Sequence, residues 1–318
     1  MTTYILRRLL QTLPVLFLTS VAVFLLLRLA PGDPAQYVAG PDAPPDTLEA
    51  VRRELGLDQP WPVQYVLWLA RAVRGDFGRS LISRYPVWDL ILQGLPATIE
   101  LAVAAFVLSL VLGVLLGVVS ALTEGRLPDF AVSVFNALAL GIPNFWLGLV
   151  LIIAFALLLG WLPPSGHVDF LESPLQSSRF LLLPAVTLAV QLAAVLARFL
   201  RSALLEVLRE DYVRTARAKG LPEKRVIGGH ALRNALIPLV TILGIQFGRL
   251  LGGAVIVEAV FAWPGLGTLA VTAVTARDYA VVQGVLMLLV SAFVLINLIV
   301  DILYGVLDPT VRLGKQRA

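Results

Sequence analysis

Apolar residues in this chain gather into long continuous runs rather than alternating, and six of these runs are each about the length a helix needs to cross a bilayer, near 20 residues. They lie at about 9–29, 97–122, 144–162, 181–204, 237–261 and 281–307. Just ahead of the third run, 130–140 continues the apolar pattern until Gly141 and Pro143 interrupt it, which predicts a bent or interfacial helix leading in. Polar residues collect in the gaps, chiefly in 31–93 and again in a block that opens at Glu210, EDYVRTARAKGLPEKRVIGGHALRNALIP. The pattern predicts an all-α polytopic membrane protein with a first transmembrane helix in 1–30. An extracytoplasmic segment follows in 31–95, and then a five-helix core in 96–318 with its polar loop at 205–236.

Composition supports the membrane reading, because 58% hydrophobic and 14% charged residues lie far from the values of a soluble globular domain. The net charge of +4 is no sign of nucleic acid when the basic residues flank apolar spans. With no cysteine, a disulfide framework and a thiolate metal site are both excluded. Arg7 and Arg8 precede the first run without a clean small-x-small cleavage site, so it reads as a retained span. If six spans alternate, Arg7, Arg8, Arg126, the polar loop and the tail with Arg312, Lys315 and Arg317 share one side. The positive-inside rule makes that side the cytoplasm. On the opposite side, Asp46 and Glu49 have capping-box spacing at the start of DTLEAVRRELGL, and Trp88 fits a membrane-surface anchor. In FAWPGLG, Pro264 and Gly265 predict a turn, with Trp263 expected at the interface.

The loop residues specify a shape. A helical pattern runs from Leu204 to Lys219, Gly220 can take the left-handed conformation that ends a helix, and Pro222 can start the next. Ala216 and Ala218 bracket Arg217, which predicts a tip of small side chains ringed by cations, suited to a groove on another protein.

RTARAKG followed by HALRNALIP resembles the signature loop of ABC importer permeases, and more narrowly that of the dipeptide, oligopeptide and nickel group. The resemblance runs through LRLAPGDPA, LGLDQP, YPVWDLI, LPDF, IPNFW, FAWPGLG and VDILYGVLDP in order along the chain. Where the broad signature has Glu-Ala-Ala, this chain has Arg214-Thr215-Ala216, and Arg233 stands where a proline would fall; both departures match the peptide and nickel subgroup. The resemblance implies an importer-permease (MetI-like) fold in the bacterial plasma membrane with both termini cytoplasmic. It also implies a homologous second permease, two cytoplasmic ATPase subunits that bind ATP and Mg, and an extracytoplasmic substrate-binding protein. Arg214, Thr215, Ala216, Arg217, Ala218, Lys219, Gly220, Leu221 and Pro222 would then form the ATPase-coupling loop.

No GxxxxGK[ST] loop and no HExxH motif occurs, so no nucleotide site, metal site or catalytic residue is expected in this chain. His167 and His230 fall on opposite sides of the membrane; His230 reads as a hydrogen-bonding structural residue, and Ser165–His167 as a loop turn. A secondary transporter or channel, the rival class, would carry ionisable groups inside its spans. The candidates are Arg249, Glu258 and Asp301. Glu258 and Asp301 lie near span ends, within reach of water or an arginine, and Asn297 and Asp301 share a helix face that suggests an interhelical contact. In the fifth span Gly244, Gly248 and Gly252 form a small-residue stripe. Gln246, Arg249 and Gly253 fall together on roughly the opposite face, the expected lining of the translocation path, where Arg249 would meet a substrate carboxylate or an acid on the partner permease. For the cargo, LPDFAV and PNFWL lean toward the nickel branch and a mid-membrane arginine leans away from a bare cation, so di- and oligopeptides are the first expectation and nickel or a metal chelate the alternative.

Overall fold

The computed structural model describes residues 2–29, 34–40, 43–54 and 56–307, and these are mostly helical. Among them there is no β-strand, only an isolated bridge between Arg79 and Pro86. In chain order the helices begin with α1 (Thr2–Leu29), α2 (Pro34–Ala39), α3 (Pro45–Glu54), α4 (Trp61–Ala72), α5 (Val87–Leu122), α6 (Leu127–Gly141) and α7 (Asn144–Leu151). A π-helical turn, Ile152–Leu158, extends α7. The chain continues through α8 (Pro174–Leu208), α9 (Asp211–Ala218), α10 (Glu223–Arg225), the π segment Val226–Ala231 and α11 (Leu232–Ala235). It closes with α12 (Ile237–Val260), α13 (Leu266–Thr275) and α14 (Tyr279–Leu307). Five helices are long and apolar enough to span a membrane, and the pair Leu127–Gly141 and Asn144–Leu158, bent by 107°, supplies a sixth span if taken as one. The predicted break at Gly141 and Pro143 is therefore where the chain turns.

The bundle is organised around α5 and α8, which make its largest helix contact and run parallel, since α6 and α7 carry the chain back between them. Leu188, Leu192, Leu196, Leu200 and Leu204 recur every fourth residue of α8 and are all buried. Close approach requires glycine opposite them: a Cβ on Gly113 would lie 2.7 Å from Leu196 Cβ, and one on Gly117 would lie 2.9 Å from Leu200 Cβ. Small residues that let helix backbones touch take the place that hydrophobic collapse has in water. On the other face of α5, Ile99, Val103, Val107, Val111, Leu115, Val119 and Leu122 are exposed. That stripe is about 35 Å long at helical rise and suits hydrocarbon rather than water.

Buried polar contacts lock each end of the bundle. At the end carrying α9, Asp129 accepts from Arg201 Nε and Nη2, both at 2.8 Å, from Ser120 Oγ and from the Gly125 N–H, tying the α5–α6 turn to α8. At the far end Glu258 is 0% exposed. It accepts from Thr98 Oγ1 and from the N–H groups of Gly267 and Thr268, so it caps α13 and joins that helix to α5 and α12. Neither water nor an arginine reaches it as the sequence reading had expected, because the FAWPGLG turn folds α13 back over it. The same turn buries Trp263 completely, against the expectation of an interfacial ring, with Nε1 donating to the Ala97 carbonyl. His167 meets the Trp263 ring edge-on and lies 3.0 Å from Glu100, in a loop where Gly166 has φ +108°. Ser80 donates to Asp278, anchoring the segment before α5 to the α13–α14 turn.

Asp46 lies inside the first turn of α3, whose first residue is Pro45, so proline's fixed φ starts this helix and Asp46 is not its cap residue. Asn297 donates to the Phe293 carbonyl of its own helix, not across to a neighbour; the Asp301 side chain and the tail with Arg312, Lys315 and Arg317 lie outside the described residues. The glycine stripe of α12 meets α14 at Gly244, against Val300, and at Gly248, against Phe293, but Gly252 has nothing within 4 Å.

Candidate functional site

The polar loop folds as a corner. The helix expected from Leu204 to Lys219 breaks at Arg209 and Glu210, and α9 sets off separately from an extended Glu210. The break lets Val213 and Ala216 turn inward onto Val226, with Val207, Leu208 and Leu221 around them. A continuous helix would have carried those apolar side chains into water. Ala216 is thus a packing residue rather than part of the exposed tip. Gly220 has φ +79°. The Gly220 N–H reaches the Arg217 carbonyl and the Leu221 N–H that of Ala216, the paired bonds of a Schellman ending, before Pro222 caps α10.

Two side-chain contacts brace the corner. Arg217 bonds Glu223 across it through Nε and Nη2, at 2.7 Å for the shortest contact, and this holds the Glu223 carboxyl below its ordinary range. Tyr212 accepts from Asn234 Nδ2 at 2.8 Å, joining α9 to α11. Arg214, Thr215, Arg217, Ala218, Lys219, Gly220 and Pro222 are left exposed, and Leu221 is half-buried. His230, expected to be hydrogen-bonded, is exposed on the π segment beyond. Tyr212, Glu223 and Asn234 escaped the sequence reading because nothing in their spacing shows that the corner brings them together.

The second candidate site lies among the spans. Gln246, Arg249 and Gly253 do share one face of α12, and that face lines a cavity of about 220 Å³. Asn144 of α7 and Gln191 of α8 join them there, with Leu188, Leu192 and Leu250 among the apolar walls. Gly253 keeps the wall thin, since a Cβ there would sit 3.3 Å from Asn144 Nδ2. Asn144 was legible only as the residue after Pro143, and Gln191 as one of several polar positions in the fourth run.

Apolar spans carry an exposed corner at one end and a cavity with four polar side chains inside. The family of binding-protein-dependent transport system inner membrane components matches residues 113–313, and its N-terminal companion matches 1–102. The chain belongs to this family and is an ABC importer permease. It is 45% identical over 312 residues to the glutathione transport system permease protein GsiC of Escherichia coli strain K12, covering 98% of this chain and 99% of that one. A peptide transport system permease protein of Brucella abortus strain 2308 is 46% identical over the same length, with the same coverage. Among solved structures, an inward-facing form of the MetNI methionine ABC transporter superposes with a TM-score of 0.56 at 23% identity, covering 69% of this chain and 96% of that one. The chain therefore has the MetI-like fold.

Proposed function

We propose that this chain forms half of the translocation path of an ATP-driven importer for di- and oligopeptides or molecules like them, such as glutathione. It stands beside a homologous second permease. An external binding protein delivers the cargo to the end formed by 56–86, 159–173 and 261–278, and both termini face the cytoplasm of a bacterial inner membrane. ATP and Mg bind two ATPase subunits and not this chain, which carries no catalytic group. The exposed α9 corner rests on one ATPase, and Gln246, Arg249 and Gly253 line the path. The relatives named for peptide and glutathione transport support this cargo. The one charged side chain in the cavity wall is a cation, which disfavours the alternative of a bare nickel ion and leaves an anionic chelate as its form.

The observation that carries the reading is the corner itself, braced on its inner side and bare on its outer side. Gly220 provides the test, because nothing in this chain lies within 4 Å of where its Cβ would be, so within this chain a substitution there acts through φ alone, and the asparagine variant controls for added bulk at the partner. Left-handed backbone costs an L residue roughly 1–2 kcal/mol, least for asparagine and most for β-branched residues. In the reconstituted transporter Gly220→Val is expected to lower ATP-driven peptide uptake at least about tenfold while the complex still assembles, and Gly220→Asn to keep most of it. Normal uptake by the valine variant would rule the corner out as the coupling element.

A further inference from the structure

We infer that the cavity of Asn144, Gln191, Gln246 and Arg249 is a recognition station for the free carboxylate end of the cargo. The inference rests on the reading that this cavity lies on the path. Among the described residues, none of these four side chains has a hydrogen-bond or ion-pair partner. Gln246 is 6% exposed and lines the cavity. Asn144 and Gln191 are half-buried and Arg249 is exposed on the cavity side; four polar side chains without a partner converging on one space inside a membrane protein mark a place for a ligand.

The chemistry of the four is specific. A guanidinium is a planar fork that matches a carboxylate through two parallel N–H···O bonds, and three carboxamides offer both donors and acceptors, as a peptide group requires. Arg249 sits near the middle of α12, where an unpaired arginine facing lipid would be costly to insert. A volume of about 220 Å³ is below the roughly 300–1,000 Å³ of pockets that enclose a whole drug-sized ligand. The station therefore grips one end of the cargo and leaves the rest free, which suits substrates of varied length that share a C-terminal carboxylate. The contrary account pairs Arg249 with an acid on the second permease.

The chain has no cysteine of its own, so Val195→Cys, on the cavity wall, places a single thiol there. In the complete reconstituted transporter its modification rates by an anionic (sulfonatoethyl) and a cationic (trimethylammonioethyl) methanethiosulfonate are compared, each relative to a free thiol. The anionic reagent is expected to be favoured about tenfold, the order of effect one nearby cation exerts at intermediate dielectric. Arg249→Lys should keep that preference and Arg249→Gln abolish it, and trialanine should slow labelling more than trialanine amide. Labelling without charge preference, a preference indifferent to Arg249→Gln, or equal protection by the two peptides overturns the carboxylate station while leaving the path in place. Failure of both reagents to label overturns the path reading and the station with it.

Discussion

Thr98 spends both hydrogen-bonding capacities of its hydroxyl on the far-end lock: it donates to Glu258 at 2.7 Å and accepts from the Leu266 N–H at 2.8 Å. Thr98→Val keeps the shape and removes both bonds, leaving a buried carboxylate and a buried N–H short of a partner, at about 1–3 kcal/mol for each group. The thermal unfolding midpoint of the purified complex should fall by several degrees, and Thr98→Ser should recover most of the loss. An unchanged midpoint for the valine variant would show that the lock contributes nothing. At this scale the sequence was least legible. Glu258 and Trp263 were both assigned to a wet boundary from their positions near a span end, and both proved buried, because burial there depends on α13 folding back after the turn. The turn residues could be read; what they would cover could not.

Elements were more legible where local chemistry dictates them. Gly220 and Pro222 define a corner through backbone conformation alone, and the corner is where they placed it. The break at Arg209 and Glu210 carries no such signal, since it arises from tertiary packing of Val213 and Ala216 onto Val226. The glycine stripe of α12 is an intermediate case: four-residue spacing indicates close approach, but only contacts tell which glycines are used. A side chain at Gly248 would collide with the Phe293 ring, whereas one at Gly252 meets nothing within 4 Å. Gly248→Val should therefore destabilise the protein by about 1–3 kcal/mol, as overpacking does, and Gly252→Val by less than about 0.5 kcal/mol, read from thermal unfolding of the two variants side by side. Equal losses at the two positions would contradict the α12–α14 packing.

Across the whole molecule, five of the six long apolar runs coincide with helices long enough to span, while the third, expected at 144–162, reaches that length only together with 127–141 across the bend; helical periodicity put Gln246, Arg249 and Gly253 on one face. The cavity they line needed two partners from other helices, Asn144 and Gln191, which no spacing along the chain connects to α12. The polar cavity and the bare corner occupy different levels of one bundle, and α8 links them: Gln191 lines the cavity, and the same helix ends at Leu208, three residues before α9 begins. Under the proposed function α8 is the element that would carry movement of the corner to the path, and Asp129 and Arg201 clamp it. The central claim is that cargo moves through this chain under ATP-driven motion of the α9 corner, and the most direct test is uptake by proteoliposomes holding the complete transporter in one orientation. With ATP on the α9 side and loaded binding protein on the opposite side, a radiolabelled peptide should accumulate, and omitting either or exchanging their sides should stop it. Accumulation driven by an ion gradient with no ATP present would contradict the account and make the chain a secondary transporter.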